Sequence, residues 1–231
     1  MKLFVLGLAG LLCAGCQVVN HGSGPLKYES TSIPLDKSEM SRVELRMGAG
    51  ELRVRGGSPK MMEADFTVGD AGLKPVVDYR PGPLRSELRI EQKDTNMTNH
   101  GDYKWDVRLN DGVAMDMTVH FGAGEANLEM GSLNLRSLEV EMGAGEMKLD
   151  LRGNPRRDYN VNVRGGVGEA TVYLPKSAGI SATASGGIGD IEVRGLEKRD
   201  GRWINPGKEH AAATIHVDVR GGVGQIRLVA E

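Results

Sequence analysis

Two cysteines, Cys13 and Cys16, are all that the 231 residues contain, and both fall in the first sixteen positions. With a leader ending there removed, nothing is left for a disulfide framework, a Cys-based metal site or thiol catalysis. Aromatic residues are scarce as well, at 2 Trp, 5 Tyr and 3 Phe. Neither charge sign dominates: 29 Lys+Arg against 31 Asp+Glu give a net charge of −2, with no basic block. The electrostatic footprint of a nucleic-acid binder is therefore missing, and no nucleic-acid partner is expected. What is abundant is glycine, 33 residues, about twice the usual share, which excludes a helical bundle.

The opening MKLFVLGLAGLLCAGC places Lys2 before an apolar run from Leu3 to Leu12 and then small residues. That is the layout of an export signal, and the run is too short to span a bilayer. Ala14-Gly15-Cys16 resembles the lipobox of bacterial lipoproteins, which implies cleavage before Cys16 and lipidation of its thiol. Residues 1–15 are thus expected to be a lipoprotein signal peptide, and residues 16–41 a lipid anchor and polar tether, punctuated by Gly22, Gly24, Pro25 and Pro34. An ordinary secretory peptide is the alternative. The expected location is the cell envelope, with the membrane as a partner through the lipid. Where the cell has two membranes, Gln17 in place of the usual retention residue Asp directs the protein to the outer one.

One pattern returns along the rest of the chain: RMGAGELRV, HFGAGEANL, EMGAGEMKL, RGGVGEATV, SGGIGDIEV and RGGVGQIRL. The glycine pairs are Gly48 and Gly50, Gly122 and Gly124, Gly143 and Gly145, Gly166 and Gly168, Gly187 and Gly189, and Gly222 and Gly224, with successive spacings of 74, 21, 23, 21 and 35 residues. A degenerate copy is read at Gly69, and insertion loops at Lys93 to Lys104 and Leu196 to Ala213. Around each pair apolar residues alternate with period two, the mark of a strand. Leu138, Val140 and Met142 precede Gly143, whereas Met147 and Leu149 follow it one residue out of phase. Such a phase change turns every later side chain outward unless the backbone absorbs it in a bulge or corner. Glycine supplies the positive φ that such a corner needs. Each unit of roughly 21 residues therefore reads as strand, glycine corner and strand. A single unit cannot bury its own apolar row, so the units must stack. The expected fold is all-β, a β-helix-like solenoid, with two stacked β-sandwiches as the alternative. Three copies carry Met47, Phe121 or Met142 before a GAG corner, and three carry Gly165, Gly186 or Gly221 before GVG or GIG. Two consecutive subdomains are expected from this, 42–153 and 154–231, divided near Gly153-Asn154-Pro155. Gly153, beyond the repeat at this boundary, is expected to tolerate alanine with less loss than Gly145 tolerates valine.

MGAGELRVRGG, WDVRLND and FGAGEANLEMGSLNLRSLEVEMGAGEMKLDLRG resemble the N-terminal toast-rack domain family of bacterial envelope proteins. RGGVGEATVYLPKSAGISATASGGIGDIEVRG and VRGGVGQIRL are similar to the C-terminal domain of LiaF-like proteins. The resemblance covers roughly Ser41 to Glu231 and implies an all-β envelope protein connected with responses to cell-wall-active antibiotics or with adhesion. No catalytic constellation stands against this. GGVGE differs from calcium repeats in its period, and the glycine motifs lead into strands and not into a phosphate-binding helix. The acidic row Glu51, Glu125, Glu146, Glu169 and Asp190 reads as a solvated strip, with a cation ladder as the alternative. His120 and His216 read as outward strand positions, and Trp105 and Trp203 as core or loop anchors. The sequence thus points to a non-catalytic envelope lipoprotein that presents a repetitive β surface to an unidentified envelope protein or glycan. No cofactor or metal is expected. A glycan-binding or glycan-active β-helix protein is the competing reading.

Overall fold

The computed structural model describes residues 26–69, 74–93, 103–208 and 210–231. Cys13, Cys16 and the tether as far as Pro25 lie outside them. The described elements are all strands: β1 (Lys27–Ile33), β2 (Met40–Arg55), β3 (Met62–Val68), β4 (Pro75–Arg80), β5 (Arg85–Gln92), β6 (Lys104–Leu109), β7 (Ala114–Glu129), β8 (Leu135–Asp150), β9 (Tyr159–Leu174), β10 (Gly179–Arg194), β11 (Glu197–Arg199), β12 (Arg202–Ile204) and β13 (Thr214–Ala230). They form one open 13-stranded sheet.

Six long strands make the rack, pairing in parallel in the order β2, β7, β8, β9, β13, β10. A straight strand of 16 residues would hold its ends about 50 Å apart. Yet residues 130–134 suffice to carry the chain from the end of β7 to the start of β8, where Asn134 O accepts from Met115 N at 3.0 Å, beside the start of β7. Each long strand is therefore a bent rung whose two arms fold toward each other over the core. The burial pattern records the bend. In β2, Val43, Leu45 and Met47 are buried at odd positions, and Leu52 and Val54 at even ones beyond the corner. The core is one cluster of aliphatic and methionine side chains running through all six rungs, with Trp105 edge-on to Phe66 at 5.5 Å near one end.

The long gap between the first two motifs holds a seventh, divided rung. β5 pairs in parallel with the first arm of β2, Met40–Arg46 with Arg85–Glu91, and β6 with its second arm, Glu51–Arg55 with Lys104–Arg108. The insertion expected at Lys93 to Lys104 thus stands where other rungs have their glycine corner; residues 94–102 lie outside the described residues. Gly69 is not a degenerate corner, because β3 ends at Val68 and pairs antiparallel with β6. A rung cannot reverse direction and stay in the parallel stack, so β3 and β1 cap the second arm, and β4 caps the first.

At the other end spatial order departs from chain order. β13 lies between β9 and β10, with full-length parallel ladders to both. The stretch expected as an insertion, Leu196 to Ala213, contains the β11–β12 hairpin, which pairs with β10 only at Ser181 and Ala182. Gly153-Asn154-Pro155 falls in the β8–β9 connection. The ladder of Ser137–Asp150 with Asn160–Tyr173 runs across it, and one core serves both sides.

Candidate functional site

The glycine corners line up along one long edge of the rack. The second glycine of each pair takes a positive φ, between 123° and 137° at Gly50, Gly124, Gly145, Gly168, Gly189 and Gly224, whereas the first glycines have none. Both are held to glycine by stacking. A Cβ at Gly122, Gly143, Gly166, Gly222 or Gly187 would overlap the carbonyl oxygen of the matching glycine one rung before. The same holds for Gly124, Gly145, Gly168, Gly224 and Gly189. Two glycine columns thus let successive backbones approach where the rung bends.

Between the columns stands the apex residue, and here the two motif classes acquire a physical meaning. Ala49, Ala123 and Ala144 occupy the apex of the first rungs and are succeeded in register by Val167, Val223 and Ile188. Side chains at an apex point away from the core, and these three are 56, 46 and 73 % exposed. With rungs about 4.8 Å apart, they form a continuous aliphatic ridge on β9, β13 and β10. Behind the ridge, Met47, Phe121 and Met142 fill the inside of the first corners. Their column continues as Gly165, Gly221 and Gly186, which have no side chain to fill it. The result is an apolar slot beneath the ridge, walled by Met142, Val163, Ala170, Val219 and Ile226. The sequence reading found the two classes but missed both ridge and slot. Their signal was the coupled exchange of Ala for Val or Ile at the apex and of Met or Phe for Gly before it.

The acidic row lies just past the corner. Glu51, Glu125, Glu146 and Glu169 are in register on adjacent rungs, and Gln225 separates the last of them from Asp190. Lys104 pairs with Glu51 at 2.8 Å, Lys148 with Glu146 at 2.9 Å and Arg227 with Glu169 at 3.2 Å. Glu146 in turn holds the Lys148 ammonium above its ordinary value through their hydrogen bond. Among the described residues no group of three or more His, Cys, Asp or Glu is arranged to hold a metal ion. His120 Nδ1 donates to Glu141 Oε2, 2.9 Å away, on the outer face of the first arms, and His216 is exposed. Trp105 is buried in the core, and Trp203 sits half-buried in the terminal hairpin with Lys198 Nζ 5.5 Å from its ring centre. These residues are spread over different faces and do not converge.

Residues 22–173 match the family model described as the N-terminal domain of toast_rack, DUF2154. The chain belongs to the toast-rack family. The solved structure of a candidate cell adhesion protein from Clostridium sporogenes ATCC 15579 shares 30% identity over 90% of this chain and 100% of its own, with a TM-score of 0.84. A candidate adhesin from Bacteroides fragilis NCTC 9343 is 12% identical over 88% of this chain and 97% of its own, at a TM-score of 0.34. Another from Parabacteroides distasonis ATCC 8503 is 13% identical over 90% of this chain and 98% of its own, at 0.30. No protein of curated function is significantly similar. The toast-rack match runs past Gly153 to Tyr173 in β9, so it spans both motif classes.

Proposed function

We propose that this toast-rack protein is a non-catalytic, adhesin-like component of the bacterial cell envelope, held to a membrane by lipid on Cys16 and binding its partner along the glycine-corner edge. The observation that carries the reading is the ridge of Val167, Val223 and Ile188, three exposed aliphatic side chains in register on a rigid frame. Aliphatic surface placed side by side in water costs free energy that contact with a partner recovers, roughly 25 cal/mol per Å² covered. The similarity to a candidate cell adhesion protein over nearly the whole chain supports a binding role. A part in envelope-stress sensing fits the same surface, with an envelope protein or glycan as the partner.

The test is attachment of the purified protein to isolated envelope fragments of its own cell. Val167→Asp, Val223→Asp and Ile188→Asp together are expected to reduce binding at least tenfold while leaving the melting temperature within a few degrees, because all three side chains point away from the core. Equal binding by the triple variant overturns the reading. Release of sugar fragments from the envelope by the parent protein overturns it in favour of a glycan-active enzyme.

A further inference from the structure

The two ends of the rack are finished differently. At the β2 end both arms are capped, and β1, outermost on the second arm, sets Lys27 opposite Val68, Glu29 opposite Phe66 and Thr31 opposite Ala64, so that only Ile33 is apolar on its core-facing side. An inward-pointing charge on an edge strand blocks addition of a further strand. At the β10 end the cap is incomplete. The β11–β12 hairpin covers Ser181 and Ala182 and no more, so among the described residues no strand lies on the outer side of Thr183 to Arg194. Ile191 stands in this last rung at the level where Leu52, Ala126, Met147, Ala170 and Ile226 are buried, and is itself 42 % exposed. The apolar slot, whose last glycine is Gly186, opens beside it.

We propose that this open end joins a second copy of the chain through a two-fold axis at the glycine corner, with the second arm of each β10 pairing antiparallel to the first arm of the other. Three observations select this occupant. The open rung carries both a protruding Ile191 and the mouth of a slot at Gly186. In an antiparallel register that keeps the core-facing sides together, Ile191 of one copy falls opposite Gly186 of the other, and Val193 opposite Ala184. One surface is thereby both knob and hole, as an isologous contact requires. Charge selects the same pairing. The second arm carries Asp190, Glu192 and Arg194, whereas the free part of the first arm is Thr183, Ala184, Ser185 and Gly186, uncharged and small. Pairing second arm with second arm would bring Glu192 toward its own copy, and pairing it with the first arm opposes no like charges. Finally, the two-fold contact occupies the open β10 edge of both copies, and Lys27 and Glu29 stand on the core-facing side of the far β1 edge, so association stops at two copies and does not continue as a fibre. The contact also extends the aliphatic ridge, because Ile188 of each copy meets its counterpart beside the axis. The dimer does not depend on the envelope role proposed above.

The experiment uses the full chain with Cys13→Ser and Cys16→Ser, so that an introduced thiol is the only one. With Ile188→Cys, mild oxidation is expected to give a disulfide-linked dimer, whereas Tyr28→Cys at the far end gives none. Sedimentation equilibrium of the chain lacking the new thiol is expected to show a dimer. Ile191→Asp and, separately, Gly186→Val are each expected to weaken it at least tenfold. Gly186 has no positive φ, and a Cβ there meets only Ile226 Cδ1 at 3.9 Å, so the valine fills the slot without displacing backbone. An unchanged melting temperature in Gly186→Val separates loss of pairing from loss of fold. A monomer at all concentrations, or a dimer indifferent to Gly186→Val, overturns the proposal. Crosslinking through Tyr28→Cys in preference to Ile188→Cys overturns it as well.

Discussion

Gly145 is constrained twice. Its φ of 125° lies where side chains are strained, and a Cβ would overlap the carbonyl oxygen of Gly124 in the neighbouring rung. The backbone strain alone is about 1–3 kcal/mol, and the overlap adds to it. Gly145→Val is therefore expected to lower the urea midpoint by more than that strain accounts for. Were this stretch an unbent strand, valine would be neutral or favourable there. Gly165 makes the proper reference, with ordinary φ and open space at its Cβ position, and Gly165→Ala should shift stability by no more than about 0.5 kcal/mol. Gly153, expected from its place beyond the repeat to accept alanine with less loss, is no such reference, because a Cβ there overlaps the carbonyl oxygen of Gly131. The difference shows what is legible at this scale. The phase change of Met142 and Met147 marks a corner within one rung, and a reader of the sequence can see it. The Gly131–Gly153 contact lies between rungs at the turn edge, and its trace is the weaker recurrence of a glycine after each GAG motif, at Gly57, Gly131 and Gly153.

Elements are joined across their outer faces by charged side chains, and Glu44 of β2 is one such junction. It meets Arg46 at 2.5 Å, Arg89 of β5 at 2.9 Å and His120 Nε2 of β7 at 4.0 Å. Burial pushes its carboxyl up, but the hydrogen bonds and charges of Arg46 and Arg89 outweigh burial and hold it below the ordinary glutamate range. The unfolded chain thus binds this proton more readily than the folded one. The stabilisation is complete above the ordinary glutamate value and is lost as pH falls through the lower folded value. Glu44→Gln is expected to melt below the parent at pH 7, with the gap closing once both are brought below about pH 4. Circular dichroism melts across that range check the closing. At this scale the strands and their glycine corners were readable from period and phase. The division of one rung into β5 and β6 was not, because what reveals it is pairing with β2, 45 residues away in the chain for β5 and 53 for β6. The antiparallel caps were hidden for the same reason: β3 alternates like any rung, and only its partner reveals its direction.

For the whole molecule, the proposed anchor and tether precede β1, which lies on the capped end. Stable attachment needs more than one acyl chain, so Cys16→Ser is expected to release the protein into the soluble exported fraction or to leave an uncleaved precursor. Membrane fractionation that recovers processed mature protein from the variant would count against the lipid anchor. The placement of β13 bears on how such a chain is completed outside the cytoplasm. A chain emerging amino end first can add β7, β8 and β9 to the stack in turn, but β10 and its hairpin then emerge before the strand that is to join them to β9. Both must hold open edges until β13 arrives, and this late, long-range closure is the slow kind. β13 is thus a keystone: a chain without Thr214–Ala230 would lose no end of the rack but a plank from inside it, parting β10 from everything before it.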